Sequence, residues 1–310
     1  MKAGWISHCI SNRKMQLVTD YEKDMTMKYS KVYKEGLTLL EEAKIDNANI
    51  DARLLLEYIC HTNRNDLLAH GDREVSEEDY AAYQQAISKR VNHIPLQHIT
   101  GTQNFMGLDF KVNEHVLIPR QDTETLVEEA MLRVHDGMKI LDMCTGSGCI
   151  LLSLLHYSND CIGTGVDISE DALAVARENA ECLRNDGSLK SEVHFIQSDL
   201  FTNIHDKYDI LVSNPPYIQT EVIKGLMPEV REHEPMLALD GMEDGLYFYK
   251  KIISECRNYL NSGADVLFEI GYDQGIQVKQ LMEENGFTEV RIMKDLPGLD
   301  RVVVGNFHGL

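Results

Sequence analysis

From Met138 to the end of the chain, short apolar runs alternate with longer amphipathic stretches. That alternation confines the region to an α/β fold with a mostly parallel sheet, because strands linked through helices pair in parallel. Seven strands are expected, at 138–143, 162–167, 192–197, 208–213, 264–270, 287–293 and 300–307. Helices are expected between them at 148–157, 170–184, 245–261 and 273–285. The first apolar run ends in Asp142-Met143-Cys144-Thr145-Gly146-Ser147-Gly148, a strand breaking into a tight turn of small residues before a helix begins.

Upstream the pattern changes. Residues 1–26 carry no sustained periodicity and read as a loose N-terminal tail. Residues 27–92 are helical throughout, with Val32, Leu37 and Leu40 on one helix and Leu54 to Leu56 on the next. Ser76-Glu77-Glu78-Asp79 reads as a capped helix start. This stretch is expected to form a small all-helical domain that recognises the substrate. Residues 93–120 are punctuated by Pro95, Gly101 and Gly107 and read as a connector with a β-hairpin, leaving 121–310 for the α/β domain.

Composition narrows the function classes. The net charge of −20 argues against gripping a nucleic-acid backbone, where affinity comes from neutralising phosphates. Between residues 219 and 244 acidic side chains outnumber basic ones, which favours a basic protein surface as partner. That segment reads either as a solvated loop or as part of a pocket wall. No apolar run reaches the ~18–20 residues that span a bilayer, and Met1 to Ile10 lacks a signal core, so no membrane association is expected. The seven cysteines are an odd number and scattered, which suggests free thiols in a reducing, cytoplasmic setting.

Two motifs carry chemistry. In the glycine turn, Gly146 and Gly148 let the backbone approach a ligand, and the following helix aims free N–H groups at it. The spacing is neither a dinucleotide fingerprint nor a phosphate loop. Asp167 ends the next strand about 20 residues on, where a carboxylate meets the ribose hydroxyls of an adenosine-type cofactor; it also suits a cap for the following helix. Asp199 and Leu200, after the third strand, stand where an adenine would lie. Cys144 and Cys149 have no further ligands at useful spacing and read as small buried residues rather than a metal site. The second motif is Asn214-Pro215-Pro216-Tyr217, behind the strand Tyr208–Ser213. It offers a side-chain amide oxygen, a preorganised carbonyl and an aromatic face, which together receive a planar –NH2 group. Asn and Pro are also ordinary turn residues.

With Asp142, Gly146, Gly148, Asp167, Asp199 and Asn-Pro-Pro-Tyr in this order, the chain resembles the class I S-adenosylmethionine-dependent methyltransferases. Val116-Leu117-Ile118-Pro119-Arg120, followed by Asp122, Thr123 and Glu124, is similar to the connector of the HemK/PrmC family, the glutamine N5-methyltransferases of peptide chain release factors. So is Glu229-Val230-Arg231-Glu232-His233-Glu234-Pro235 leading to Asp240-Gly241. The resemblance covers residues 28–308. It implies a Rossmann-like seven-stranded methyltransferase domain behind a helical domain and hairpin connector. It also implies methyl transfer from S-adenosyl-L-methionine, without a metal, to the glutamine of a Gly-Gly-Gln loop. Asp142, Cys144, Thr145, Gly146, Ser147, Gly148, Asp167, Asp199, Leu200 and Asn214 would hold the cofactor. Asn214, Pro215 and Tyr217 would act on the amide, with Pro216 completing the substrate site. The Asn214 side-chain oxygen and the Pro215 carbonyl would accept the two amide protons, and Tyr217 would pack on the amide plane. His233 is the nearest candidate base. Cys144 stands where the family usually has Gly and is expected in an ordinary backbone conformation. An exocyclic base amine is the alternative acceptor, and a non-catalytic nucleotide-fold binding module the alternative class.

Overall fold

A computed structural model describes residues 27–309. The expected tail at 1–26 lies outside those residues. The chain divides into two compact units between Thr100 and Gly101.

The first unit is helical: α1 (Tyr29–Glu42), α2 (Ala48–Ile59), α3 (Arg64–Ala69), α4 (Glu77–Val91) and α5 (Leu96–Thr100). Val32, Leu40, Ala52, Leu55, Leu56, Tyr83 and Ile87 form its apolar centre. Ser76 caps α4 by accepting the Asp79 amide at 3.0 Å. Asp51, in the first turn of α2, is buried and accepts a hydrogen bond from Arg90 Nε at 2.7 Å.

The second unit opens with the expected hairpin, β1 (Thr102–Phe105) and β2 (Leu108–Lys111), antiparallel. Its two-residue turn, Met106-Gly107, has positive φ at both positions (51° and 74°), the mirror-image geometry that matches strand twist. Then follow α6 (Glu124–Met131), β3 (Lys139–Met143), α7 (Cys149–Tyr157), β4 (Ile162–Asp167), α8 (Glu170–Asn185), β5 (Glu192–Gln197) and β6 (Tyr208–Ser213). Three short helices come next, α9 (Thr220–Ile223), α10 (Pro228–His233) and α11 (Met236–Leu239), before α12 (Tyr247–Glu255), β7 (Leu260–Glu269), α13 (Gly275–Glu284), β8 (Thr288–Lys294) and β9 (Asp300–Phe307).

The seven-stranded sheet has the order β5-β4-β3-β6-β7-β9-β8. The first five are parallel, and β9 runs antiparallel to both of its neighbours. Side chains alternate between faces, as the pleat requires. Ile140, Ile210, Val212 and Leu267 join one core with residues of α6, α7 and α8. Leu141, Leu211, Val266 and Phe268 join another with residues of α12 and α13. The helix expected over 245–261 stops at Glu255, and a tight turn carries the chain into a longer β7. Leu260 pairs with Tyr208 ahead of a register shift, which draws the polar Asn261-Ser262-Gly263 into the strand.

The sheet reverses direction at β3. Successive strands step to one side through β4 and β5, and the chain then returns to lay β6 on the other side. In open α/β sheets that switch point leaves a crevice beyond the carboxyl ends of the strands. The glycine turn leaves β3 and Asn214 leaves β6 at this crevice.

Candidate active site

The register pairs Met143 with Ser213, the last residues of β3 and β6. The Ser213 hydroxyl donates to the Met143 carbonyl at 2.6 Å, locking the two strand ends together. Cys144 and Asn214 therefore start from adjacent points. A cleft of 320 Å³ opens there, lined among others by Thr123, Thr145, Gly146, Asp167, Asp199 and Asn214.

The glycine turn is built by hydrogen bonds. The Thr145 amide donates to the Val166 carbonyl at 2.9 Å, and the Gly148 amide to the Thr145 carbonyl at 2.9 Å. Gly146 and Gly148 both have positive φ, at 53° and 79°. A β-carbon at Gly146 would meet nothing within 4 Å, so the backbone there is bare to an incoming ligand. One at Gly148 would press on Leu152 and Ala176 at 3.2 and 3.3 Å, so that glycine also serves helix packing. Helix α7 starts directly after, with Ser147, Cys149 and Ile150 on the cleft wall. Cys144 departs from expectation. Its φ is +63°, in the left-handed region, because the strand must turn at once to bring the loop under the cleft. Leu200, at φ +48°, is bent the same way where the chain turns after β5.

Asp167 sits on the cleft wall with one oxygen accepting the Gly146 amide at 2.9 Å and the other the Ser169 amide at 3.0 Å. The cap of α8 belongs to Ser169, whose hydroxyl accepts the Ala172 amide at 3.2 Å. Asp167 thus braces the glycine turn, and burial raises its carboxyl above the ordinary range. Asp199 lies exposed on the same wall, with Leu200 beside it.

Other expected site residues sit elsewhere. Asp142 is fully buried and absent from the cleft wall; one of its oxygens accepts the Thr145 hydroxyl at 2.5 Å. Burial, with Asp167 adding repulsion, pushes it up to about 7. It shapes the turn from beneath. Pro216 lines the cleft whereas Pro215 is buried and does not. Tyr217 is also off the wall, with its hydroxyl 3.4 Å from Glu269 Oε1. His233 does not line the cleft. Among the described residues no group of three or more His, Cys, Asp or Glu side chains is placed to hold a metal ion.

The Asn-Pro-Pro-Tyr turn is held from outside. Gln274 donates to the Tyr217 carbonyl at 3.0 Å and the Gly245 carbonyl at 3.2 Å, while its own oxygen accepts the Gly271 amide at 2.9 Å. Asn214 Nδ2 donates to the Thr123 hydroxyl oxygen at 3.4 Å, which leaves Asn214 Oδ1 as the free acceptor. Part of the acidic segment forms a wall: Pro235, Leu237, Ala238 and Met242 line the cleft. Arg120, on the cleft, is ion-paired to Glu234, whose side chain is only 1% exposed.

Known proteins match both parts of the chain. Residues 31–101 match the PrmC N-terminal domain, and residues 121–230 the methyltransferase small domain. A release factor glutamine methyltransferase of Caulobacter vibrioides is 41% identical over 284 residues, 91% of this chain and 97% of that protein. One of Clostridium botulinum is 40% identical, over 87% of this chain and 95% of its own length. A third, of Geobacter sulfurreducens, is 39% identical over 86% and 92%. The chain belongs to the release factor glutamine methyltransferase family.

Within a member of this family, the residues that sequence reasoning left without a role become informative. Thr123, Gln274 and Glu269 all hold the acceptor turn, yet none sits in a motif with it. Thr123 stood among the connector residues that carry the family resemblance, and that was its one signal. Glu269 is a lone acid at the end of an apolar strand, a pattern that a strand terminus shares.

Proposed function

We propose that this protein transfers a methyl group from S-adenosyl-L-methionine to the side-chain amide nitrogen of the glutamine in the Gly-Gly-Gln loop of a peptide chain release factor. The observation that carries this reading is Asn214, whose side-chain oxygen is left as an acceptor on the wall of the cleft that the glycine turn and Asp167 also line. Family membership over nearly the whole chain names the acceptor.

The cleft residues fit the cofactor. Gly146 leaves backbone open to a close approach, the α7 N-terminus aims amides into the same space, and Asp167 keeps carboxylate lone pairs for ribose hydroxyls. Asp199 and Leu200 would border the base. When bound, the cofactor supplies the electrophilic methyl group on its sulfonium.

A carboxamide nitrogen is a poor nucleophile because its lone pair is delocalised. Asn214 Oδ1 accepts an N–H proton of the amide, which localises the pair and favours charge developing on nitrogen in the transition state. The two prolines fix the backbone, so this acceptor is preorganised. Tyr217 supports the turn from behind rather than packing on the amide. Holding nitrogen and methyl in line supplies about 7–11 kcal/mol through effective molarity. The excess proton leaves to water after transfer. The helical unit recognises the release factor away from the reacting loop.

The test uses labelled S-adenosylmethionine with a release factor and with the same factor carrying Gln→Ala in its Gly-Gly-Gln loop. Label should enter only the first. Asn214→Ala should cut turnover about 100-fold or more while cofactor affinity stays near that of the parent. Label in both factors would overturn the acceptor assignment.

A further inference from the structure

The turn between β8 and β9 departs from the ordinary chemistry of a surface turn. Asp295-Leu296-Pro297-Gly298-Leu299 joins the two strands, with Leu296 at 99% exposure and Leu299 exposed as well. Turns favour Gly, Pro, Asn, Asp and Ser, and a leucine left wholly in water contributes no burial to folding. The turn is nonetheless tightly built. The Asp295 amide donates to the Leu299 carbonyl and the Gly298 amide to the Asp295 carbonyl, both at 2.9 Å. The Leu299 amide donates to Asp295 Oδ1 at 2.8 Å. A β-carbon at Gly275 would lie 2.8 Å from Asp300 Oδ2, so the start of α13 abuts the base of this hairpin. That helix start brings two more exposed apolar side chains, Tyr272 and Ile276.

The register places this patch on the edge of the sheet that carries the cleft. Ser213, the last residue of β6, pairs with Phe268, and Glu269, the last of β7, pairs with Val302 near the start of β9. Because β9 runs antiparallel to β7, the β8–β9 turn leaves the same carboxyl edge as the glycine turn and Asn214. Neighbouring strands lie about 4.8 Å apart, and β9 and β8 stand two and three strands from β6, so the turn sits about 10–15 Å along that edge from Asn214. Contacts join the two places. Thr123 lines the cleft, its neighbour Asp122 pairs with Arg301, and Arg301 pairs with Asp295 at the foot of the turn, both at 3.1 Å.

We propose that Leu296, with Leu299, Tyr272 and Ile276 around it, is an apolar docking surface for the body of the release factor, engaged while its Gly-Gly-Gln loop occupies the cleft. This rests on the methyl-transfer reading above. A loop that reaches the cleft brings its own domain down over the same edge of the sheet. A specific interface covers about 800 Å² of each partner, a disc of about 16 Å radius, so one patch spans both the cleft mouth and the turn. The hydrogen-bonded turn presents its leucine already ordered, which lowers the entropy lost on contact. Such a contact is made equally in the ground state and the transition state. It therefore lowers KM for the release factor and leaves kcat alone.

The test uses the full chain and a whole release factor. It compares the parent with Leu296→Ser, Leu296→Glu and a control, Leu132→Glu, whose exposed side chain follows α6 near the start of β3, on the opposite edge of the sheet. Leu296→Ser should raise KM for the release factor about tenfold, and Leu296→Glu by more. In both, kcat at saturation should stay within about twofold of the parent, and the Kd for S-adenosylmethionine by calorimetry should not move. Leu132→Glu should match the parent. Neither leucine is packed, so all the variants should melt with the parent. An unchanged KM in both Leu296 variants overturns the docking surface and leaves the methyl-transfer reading standing. So does a KM raised as far by Leu132→Glu, which is a general effect of charge, or a fall in kcat or cofactor affinity, which makes the turn a support of the cleft. A parent that is dimeric in solution and becomes monomeric in Leu296→Glu, with KM unchanged, gives the patch to a second copy of this chain and overturns the proposal. A parent inactive on release factor overturns the methyl-transfer reading and the docking surface together.

Discussion

Cys144 shows what a residue can and cannot announce. Its small side chain was readable beside the glycine turn, but its backbone was expected to be ordinary and is instead left-handed at φ +63°. A non-glycine residue in that region carries about 1–2 kcal/mol of strain. Cys144 is half-buried on the cleft wall, and desolvation there, with Asp167 and Asp142 nearby, raises its thiol well above the usual value. Cys144→Gly should therefore stabilise the fold by about 1 kcal/mol, less what glycine loses in the unfolded chain. Denaturant unfolding would measure it, and a loss of stability would count against the strain. Residue chemistry was legible where strand ends carry it: Asp167 and Asn214 both reach the cleft. Thr123 and Glu269 were not, because they lie 91 and 55 positions from Asn214 and meet it only through the sheet. Asp142 was named for the cofactor, yet it works from below the loop, a distinction of depth that spacing does not encode.

At the scale of elements, apolar period and glycine punctuation placed every strand of the large sheet to within a few residues. Their order across the sheet did not follow from them. The insertion of β9 between β7 and β8 depends on side-chain fit over both faces, which a one-dimensional pattern leaves undetermined. The three short helices of the acidic segment were equally hidden, since each is too brief to show a period. In the helical unit, a glycine stands in the middle of α1, where alanine would gain about 1 kcal/mol in helix propensity. The structure gives the reason for it. A β-carbon at Gly36 would lie 2.1 Å from the Tyr83 hydroxyl, and that ring is fully buried with its hydroxyl on the Ala52 carbonyl at 3.0 Å. Overpacking of this kind costs about 1–3 kcal/mol. Gly36→Ala should lower thermal stability, and an increase would show that Tyr83 can move.

Across the whole molecule, acid is in surplus, with 50 Asp and Glu against 30 Lys and Arg. Two of those acids are held where burial works against their charge: Asp142 and Glu269 are both pushed up to about 7. A raised folded-state pKa means the native chain binds more protons than the unfolded one between the two values. The stabilisation is full below the ordinary carboxylate range and is lost as pH rises through about 7. The protein should melt at a higher temperature at pH 6 than at pH 8, and the gap should narrow in Glu269→Gln. Calorimetry at the two values is sufficient, and a higher melting temperature at pH 8 would refute the assignment. The Arg120–Glu234 pair bears on a different quantity. Glu234 is buried with its second oxygen unpartnered among the described residues, and it anchors the stretch that carries Pro235, Leu237 and Ala238 over the cleft. Arg120 is itself 42% exposed, so water screens the pair and its loss costs less than that of a pair buried on both sides. The pair is thus a clasp at the rim of the cleft, tying the end of the connector at Arg120 to the stretch that walls the cleft opposite the glycine turn.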